Sequence, residues 1–159
     1  MNEIIETLID EMKDSLKRAE HSCYVSLKYT RTVDVLKNLV ERFITTISFA
    51  VDVLSADLEE KGKIMEQPDS LIEKVNLTKS NYEEDETITA ALELLLLLRK
   101  IIRADYGRCE EFRRHVTMVV KVEGEDYHLD IDLLTAYFHK IKEYVGYIER
   151  LIKGENEDQ

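Results

Sequence analysis

The residues best suited to chemistry lie together between Arg99 and His115. Six cations (Arg99, Lys100, Arg103, Arg108, Arg113 and Arg114) stand there against Asp105, Glu110 and Glu111. Guanidinium forks grip phosphate oxygens in bidentate pairs, so a local positive excess of this kind suits an anionic ligand. His115 closes the segment. A histidine beside arginines can serve as general acid or base while an arginine stabilises charge developing on phosphorus. Neighbouring cations also favour the neutral imidazole, the form that accepts a proton. Two plainer accounts stand beside these. Cations gather at the C-terminal end of a helix because the dipole favours them there, and a lone histidine commonly caps a helix end or binds a carbonyl.

Other constellations offer less. Glu83, Glu84, Asp85 and Glu86 form a carboxylate run that suggests magnesium and pyrophosphate cleavage. Contiguous residues cannot turn all their oxygens to one side of a helix, so the run reads as a solvated first turn. Glu125 and His128 have the spacing of di-metal bundle ligands, but they fall in an expected turn and strand. There is no Gly-rich phosphate loop, no Gly-x-Ser-x-Gly elbow and no zinc spacing. Cys23 and Cys109 stand apart from any Cys/His cluster and read as two reduced, partly buried thiols. No metal and no cofactor are expected.

Helices must carry these residues. From Met1 to Lys61 the chain has neither Gly nor Pro. Ile5, Leu8, Met12, Leu16 and Ala19 recur at helical steps, with a break expected near His21 and Ser22. Val33, Leu36, Val40, Phe43, Ile47, Val51, Leu54 and Leu58 make one stripe of a long second helix, and Val35, Leu39, Phe49 and Val53 a second stripe. Gly62 is suited to the left-handed turn that closes it. Ser70 and Glu73 have the capping-box spacing for a short helix to about Leu77, within a linker from Lys63 to Tyr82 that reads equally as a loop. Asn81 is expected to cap a third long helix, whose leucines Leu94 to Leu98 place it at the centre of the core. Val116, Met118, Val120 and Val122, then Tyr127, Leu129 and Ile131, alternate about Glu123 and Gly124 as a hairpin near residues 115–131. Asp130 or Asp132 caps a last helix with a stripe of Leu134, Tyr137, Ile141, Tyr144, Ile148 and Leu151, ending at Gly154. The fold class is therefore mainly α: an up-down four-helix bundle with an inserted β-hairpin.

The Arg108-x6-His115 spacing, following the third helix of such a bundle, resembles the Arg-x4–6-His signature of HEPN domains, and Arg103-Ala104-Asp105-Tyr106 looks like a stretch found in some prokaryotic members. That family consists of dimeric four-helix domains, many of them metal-independent ribonucleases. The resemblance implies that Arg108 binds phosphate and His115 serves the 2′-hydroxyl or leaving group, with Arg103, Arg113 and Arg114 assisting.

Whole-chain properties bound the partners. The length of 159 residues fits one domain, read as residues 1–154 followed by a disordered acidic tail at 155–159. A net charge of −11 opposes whole-surface attraction to nucleic acid or anionic membranes, so RNA is disfavoured except at a local basic cleft. The longest apolar run is far shorter than the roughly 20 residues of a membrane span, and Asn2 and Glu3 open an amphipathic helix at once, so a soluble cytoplasmic protein is expected. Double-striped helices need cover on two sides, and an isolated hairpin is marginal on its own. Both point to a homodimer with room for a protein partner: a helical interaction module with no assignable catalysis. The alternative is a HEPN-like ribonuclease or phosphate/RNA-binding domain.

Overall fold

The computed structural model describes residues 2–157, with side chains through residue 154. The chain is mainly helical: α1 (Glu3–His21), α2 (Val33–Glu60), α3 (Leu71–Asn81), α4 (Glu86–Arg103) and α5 (Ile131–Glu157). Between α4 and α5 lie three antiparallel strands in the order β1 (Tyr106–Cys109), β2 (Thr117–Val122) and β3 (Glu125–Leu129). A mainly α fold with an inserted hairpin is what forms, enlarged by one strand.

Every helix starts on a polar side chain that satisfies an otherwise orphaned backbone N–H. Asn2 accepts from the Ile5 N–H at 2.8 Å, Thr32 from Val35 at 3.3 Å, Ser70 from Glu73 at 3.1 Å, Asp85 from Ile88 at 3.0 Å and Asp130 from Leu133 at 2.8 Å. Asp85 therefore caps α4 in place of the expected Asn81, which is the last residue of α3 and donates its side-chain amide to the Leu77 carbonyl. An extra turn on α3 moved the boundary. At the other end of α2, Gly62 adopts φ +75°, and the N–H groups of Gly62 and Lys63 bond to the carbonyls of Glu59 (3.0 Å) and Leu58 (2.8 Å), closing the helix as expected.

The centre of the core is α2 rather than α4. It packs against α1, α3, α4, α5 and β2. Its first stripe, Val33 to Leu58, is buried throughout; Leu39 and Val53 of the second are fully buried and Val35 and Phe49 half-buried. On α4, Leu94, Leu95 and Leu98 are buried while Leu96 and Leu97 are only partly covered. The chain thus supplies by itself the two-sided cover that the stripes demand. Each Leu, Ile or Phe enclosed in this way contributes about 1.5–3 kcal/mol over an exposed one. One buried polar contact joins α1 to α2: Thr46 donates to the Arg42 carbonyl (3.0 Å) and so accepts from Ser15 (2.7 Å).

Three expectations need correction. No break occurs at His21 and Ser22; the chain continues through a π-helical stretch over Ser22–Ser26 and a last α turn over Leu27–Tyr29. Ala19, Cys23 and Leu27 are all buried at steps of four, which in an α-helix drift by about 40° each. A wider turn, with the Leu27 N–H reaching back to the Ser22 carbonyl, holds them towards the core. The buried stripe of α5 is Leu134, Phe138, Ile141, Val145, Ile148 and Ile152, so Tyr137, Tyr144 and Leu151 flank it. The helix also runs through Gly154 to Glu157; the remainder of the expected tail, residues 158 and 159, lies outside the described residues.

The linker after Gly62 is tied down. Ile64 is buried, Ser55 bonds to the Gln67 side chain, and the Gln67 amide donates to the Ser55 carbonyl and to Glu59, both at 3.1 Å. Lys74 of α3 pairs with Asp52 of α2 at 2.9 Å.

In the sheet, Glu123 (φ +53°) and Gly124 (φ +84°) form the two-residue turn between β2 and β3. Met118, Val120 and Val122 point inward, and β2 packs on α2 and α4. Strand β1 pairs with β2 in the register Tyr106↔Val120 and Arg108↔Met118.

Asp85 does two jobs, since it also accepts from the Tyr147 hydroxyl at 2.6 Å and so ties α4 to α5. Asp85→Ala is expected to cost about 1–2 kcal/mol in urea unfolding at unchanged m, and Tyr147→Phe less than this. The bond to Asp85, with burial second, raises the Tyr147 phenol above its usual value. A raised folded-state value stabilises below the unfolded pKa and is lost as pH climbs through the folded one. Tyr147→Phe should therefore lose less stability than wild type on going alkaline.

Candidate functional site

The basic segment divides when it folds. Arg103 is the exposed last residue of α4, and β1 then carries the chain about 10 Å before the β1–β2 loop that holds Arg113, Arg114 and His115. Arg113, Arg114 and His115 are exposed. Arg108 lies on β1 between the two groups.

Arg108 is occupied. Its register with Met118 puts it on the face of the sheet that meets the helices. One arm of the guanidinium donates to Glu111 at 2.9 Å and the other to Asp34, in the first turn of α2, at 3.1 Å. The group lies 5.4 Å from the centroid of the Tyr106 ring, which also has Lys37 Nζ at 5.4 Å. Its hydrogen bonds to Glu111 and then to Asp34 push the Arg108 pKa further up, so it stays charged at every accessible pH. A phosphate at Arg108 would have to displace two carboxylates.

His115 belongs to a different group. Its carbonyl accepts from the Thr117 hydroxyl at 2.8 Å, and its side chain lines a small cleft with Arg31, Arg114, Asp130, Ile131 and Asp132. Arg31, from the short connection before α2, has its Nε buried without a hydrogen-bond partner. Among the described residues Arg31, Arg103, Arg113 and Arg114 form no ion pair. The cleft therefore joins two cations and a histidine with two carboxylates, one of which, Asp130, is engaged in capping α5.

The loop between β1 and β2 has unusual backbone geometry. Glu110 (φ +52°) and Phe112 (φ +64°) both occupy the left-handed region, which bulky residues avoid. Hydrogen bonds from Phe112 N–H to the Arg31 carbonyl (2.6 Å), Arg113 N–H to Glu110 (3.2 Å) and Val116 N–H to Arg113 (3.0 Å) hold the conformation. Phe112 is nonetheless 77% exposed, as is Tyr29, two residues before Arg31. Phe112 stands in the sequence as one aromatic between Glu110-Glu111 and Arg113-Arg114, with charged residues at the strand-spaced positions Glu110 and Arg114. Arg31 carried no such signal; only the fold brings it to His115.

The remaining candidates disperse. Glu125 and His128 lie on opposite faces of β3, as residues three apart in a strand must. Glu83 and Glu84 sit in the turn before α4, beside an open groove floored by Tyr147. Among the described residues no three His, Cys, Asp or Glu side chains gather to hold a metal ion, and no helix is long and apolar enough to cross a membrane. No family model, curated protein or solved structure matches the chain. Its chemistry has to be read from this geometry alone.

The two cysteines differ, against the expectation that both are partly buried. Cys23 is buried beside Thr135 (Sγ to Oγ1 3.6 Å), and burial raises its thiol pKa; Cys109 is exposed on the edge strand. A disulfide-exchange reagent should titrate one thiol in native protein and the second only after denaturation. Two fast thiols would mean that the π-helical stretch opens readily.

Proposed function

We propose that the chain is a helical interaction module that acts as a homodimer and has no catalytic centre of its own. The observation that carries this reading is the commitment of Arg108 to Asp34 and Glu111. The arginine that a phosphate-cleaving centre needs fastens the sheet to α2, while His115 shares its cleft with Asp130 and Asp132. With the core stripes covered within one chain, the case for self-association rests on the surface, where Tyr29 and Phe112 are presented to solvent.

A HEPN-like phosphate- or RNA-binding role is the second reading. It is favoured by Arg31, which has a buried, partnerless Nε and lines the same cleft as Arg114 and His115. In that case the binding arginines are Arg31 and Arg114 rather than Arg108.

Two measurements separate the readings. Light scattering should return twice the 18.6 kDa of one chain at micromolar concentration; one chain at every concentration sinks the homodimer. Purified protein with EDTA should leave a mixed-sequence RNA intact. Cleavage that disappears in His115→Ala would instead establish the ribonuclease.

A further inference from the structure

We infer that the homodimer forms through the end of the bundle that exposes Phe112 and Tyr29, each copy docking this end against the same end of the other. The inference rests on the homodimer reading above. Three irregularities converge here: the π-helical stretch over Ser22–Ser26, the left-handed Phe112 and the unpaired arginines of the loop. The Phe112 N–H bonded to the Arg31 carbonyl at 2.6 Å ties the end of the α1 segment to the β1–β2 loop. Tyr29 lies two residues before Arg31, so the two exposed aromatics stand on segments that this bond joins. Phe112 sits on a backbone held by its own hydrogen bonds, so the loop loses little freedom on docking, which is what an interface anchor requires.

Charge selects the occupant. A two-fold interface sets a patch against its own copy, so the patch must carry both halves of every contact. This end does: Arg113 and Arg114 have no carboxylate partner, and Glu110 and Asp132 have no cation, among the described residues. Pairing Phe112 and Tyr29 at the centre lets these charges meet their opposites across the two-fold axis. An acidic peptide or a phosphate strand would satisfy the arginines but meet Glu110, Asp132 and a chain of net charge −11. The competing apolar groove, lined by Ile4, Leu8 and Ala56, is rimmed by Asp52, Glu59 and Glu60, with Lys74 the only cation among its described lining residues. Two copies apposed there would bring like charges together.

The test is sedimentation equilibrium of wild type, Phe112→Gly, Tyr29→Glu and Ile4→Glu, with thermal melts of each. Glycine is at ease at φ +64°, so Phe112→Gly keeps the fold while removing the anchor. The expected result is a wild-type dimer, weakened at least ~30-fold by Phe112→Gly and by Tyr29→Glu with melting of the monomer not lowered, and undisturbed by Ile4→Glu in the other groove. A dimer retained in Phe112→Gly, or lost only in Ile4→Glu, overturns this surface and leaves the homodimer standing. A wild-type monomer overturns both.

Discussion

A helix of 28 residues with apolar side chains on two stripes cannot stand in water, and the other elements are arranged to cover α2. α1 and α5 close one side, α4 another, and the inner row of β2 fills the remaining gap. The short helix α3 and the strapped linker before it cover the C-terminal half through Ile64, Val75 and the Lys74–Asp52 pair. This requirement explains why a marginal three-stranded sheet persists: it is the wall of a helical core, not an independent unit.

Because β1 places no fully buried side chain in the core, it must be attached by other means. Tyr106 and Arg108 do this from the inner face, the ring lying between Lys37 and the Arg108 guanidinium while the guanidinium reaches Asp34 at the start of α2. Exposed ion pairs are individually weak, but here a cation, two carboxylates and a ring fix one short strand at several points. The same clamp holds Glu111, and with it the start of the loop that displays Phe112. The segment richest in apparent chemistry is therefore first a fastening, and the shape of the loop follows from it.

The legible parts of the sequence were those where one local rule decides. The stripes of α2, the Gly62 stop, the Ser70 cap and the Glu123-Gly124 turn each depend on residues close in the chain, and each is where its spacing put it. Strand β1 was hidden because Tyr-Gly-Arg-Cys has no apolar alternation; it is a strand only because β2 offers an edge. The stripe of α5 slipped by one residue because Tyr137, Tyr144 and Leu151 are as regularly spaced as the buried Phe138, Val145 and Ile152, and only packing distinguishes them. The surroundings of the basic segment were not legible for a different reason. Proximity along the chain placed Arg108 with His115, whereas Asp34, Glu111 and Arg31, distant or overlooked, determine what each of them does.

Carboxylates outnumber basic side chains by 33 to 22, so an arginine left without an acidic partner is not explained by scarcity. The helices obey their local rules, each with its cap, and the left-handed Glu123 is what its hairpin turn requires. Glu110 and Phe112 have no such excuse. Each costs on the order of 1–3 kcal/mol in backbone strain, and the buried Nε of Arg31 adds an unmet donor a few residues away in space. Random error in a sequence would scatter such costs; here they accumulate where Phe112 meets Arg31. Natural proteins break local rules mainly where function compensates for the loss. Burial of Phe112 against a second copy is the compensation that the proposed dimer would supply at this end of the bundle.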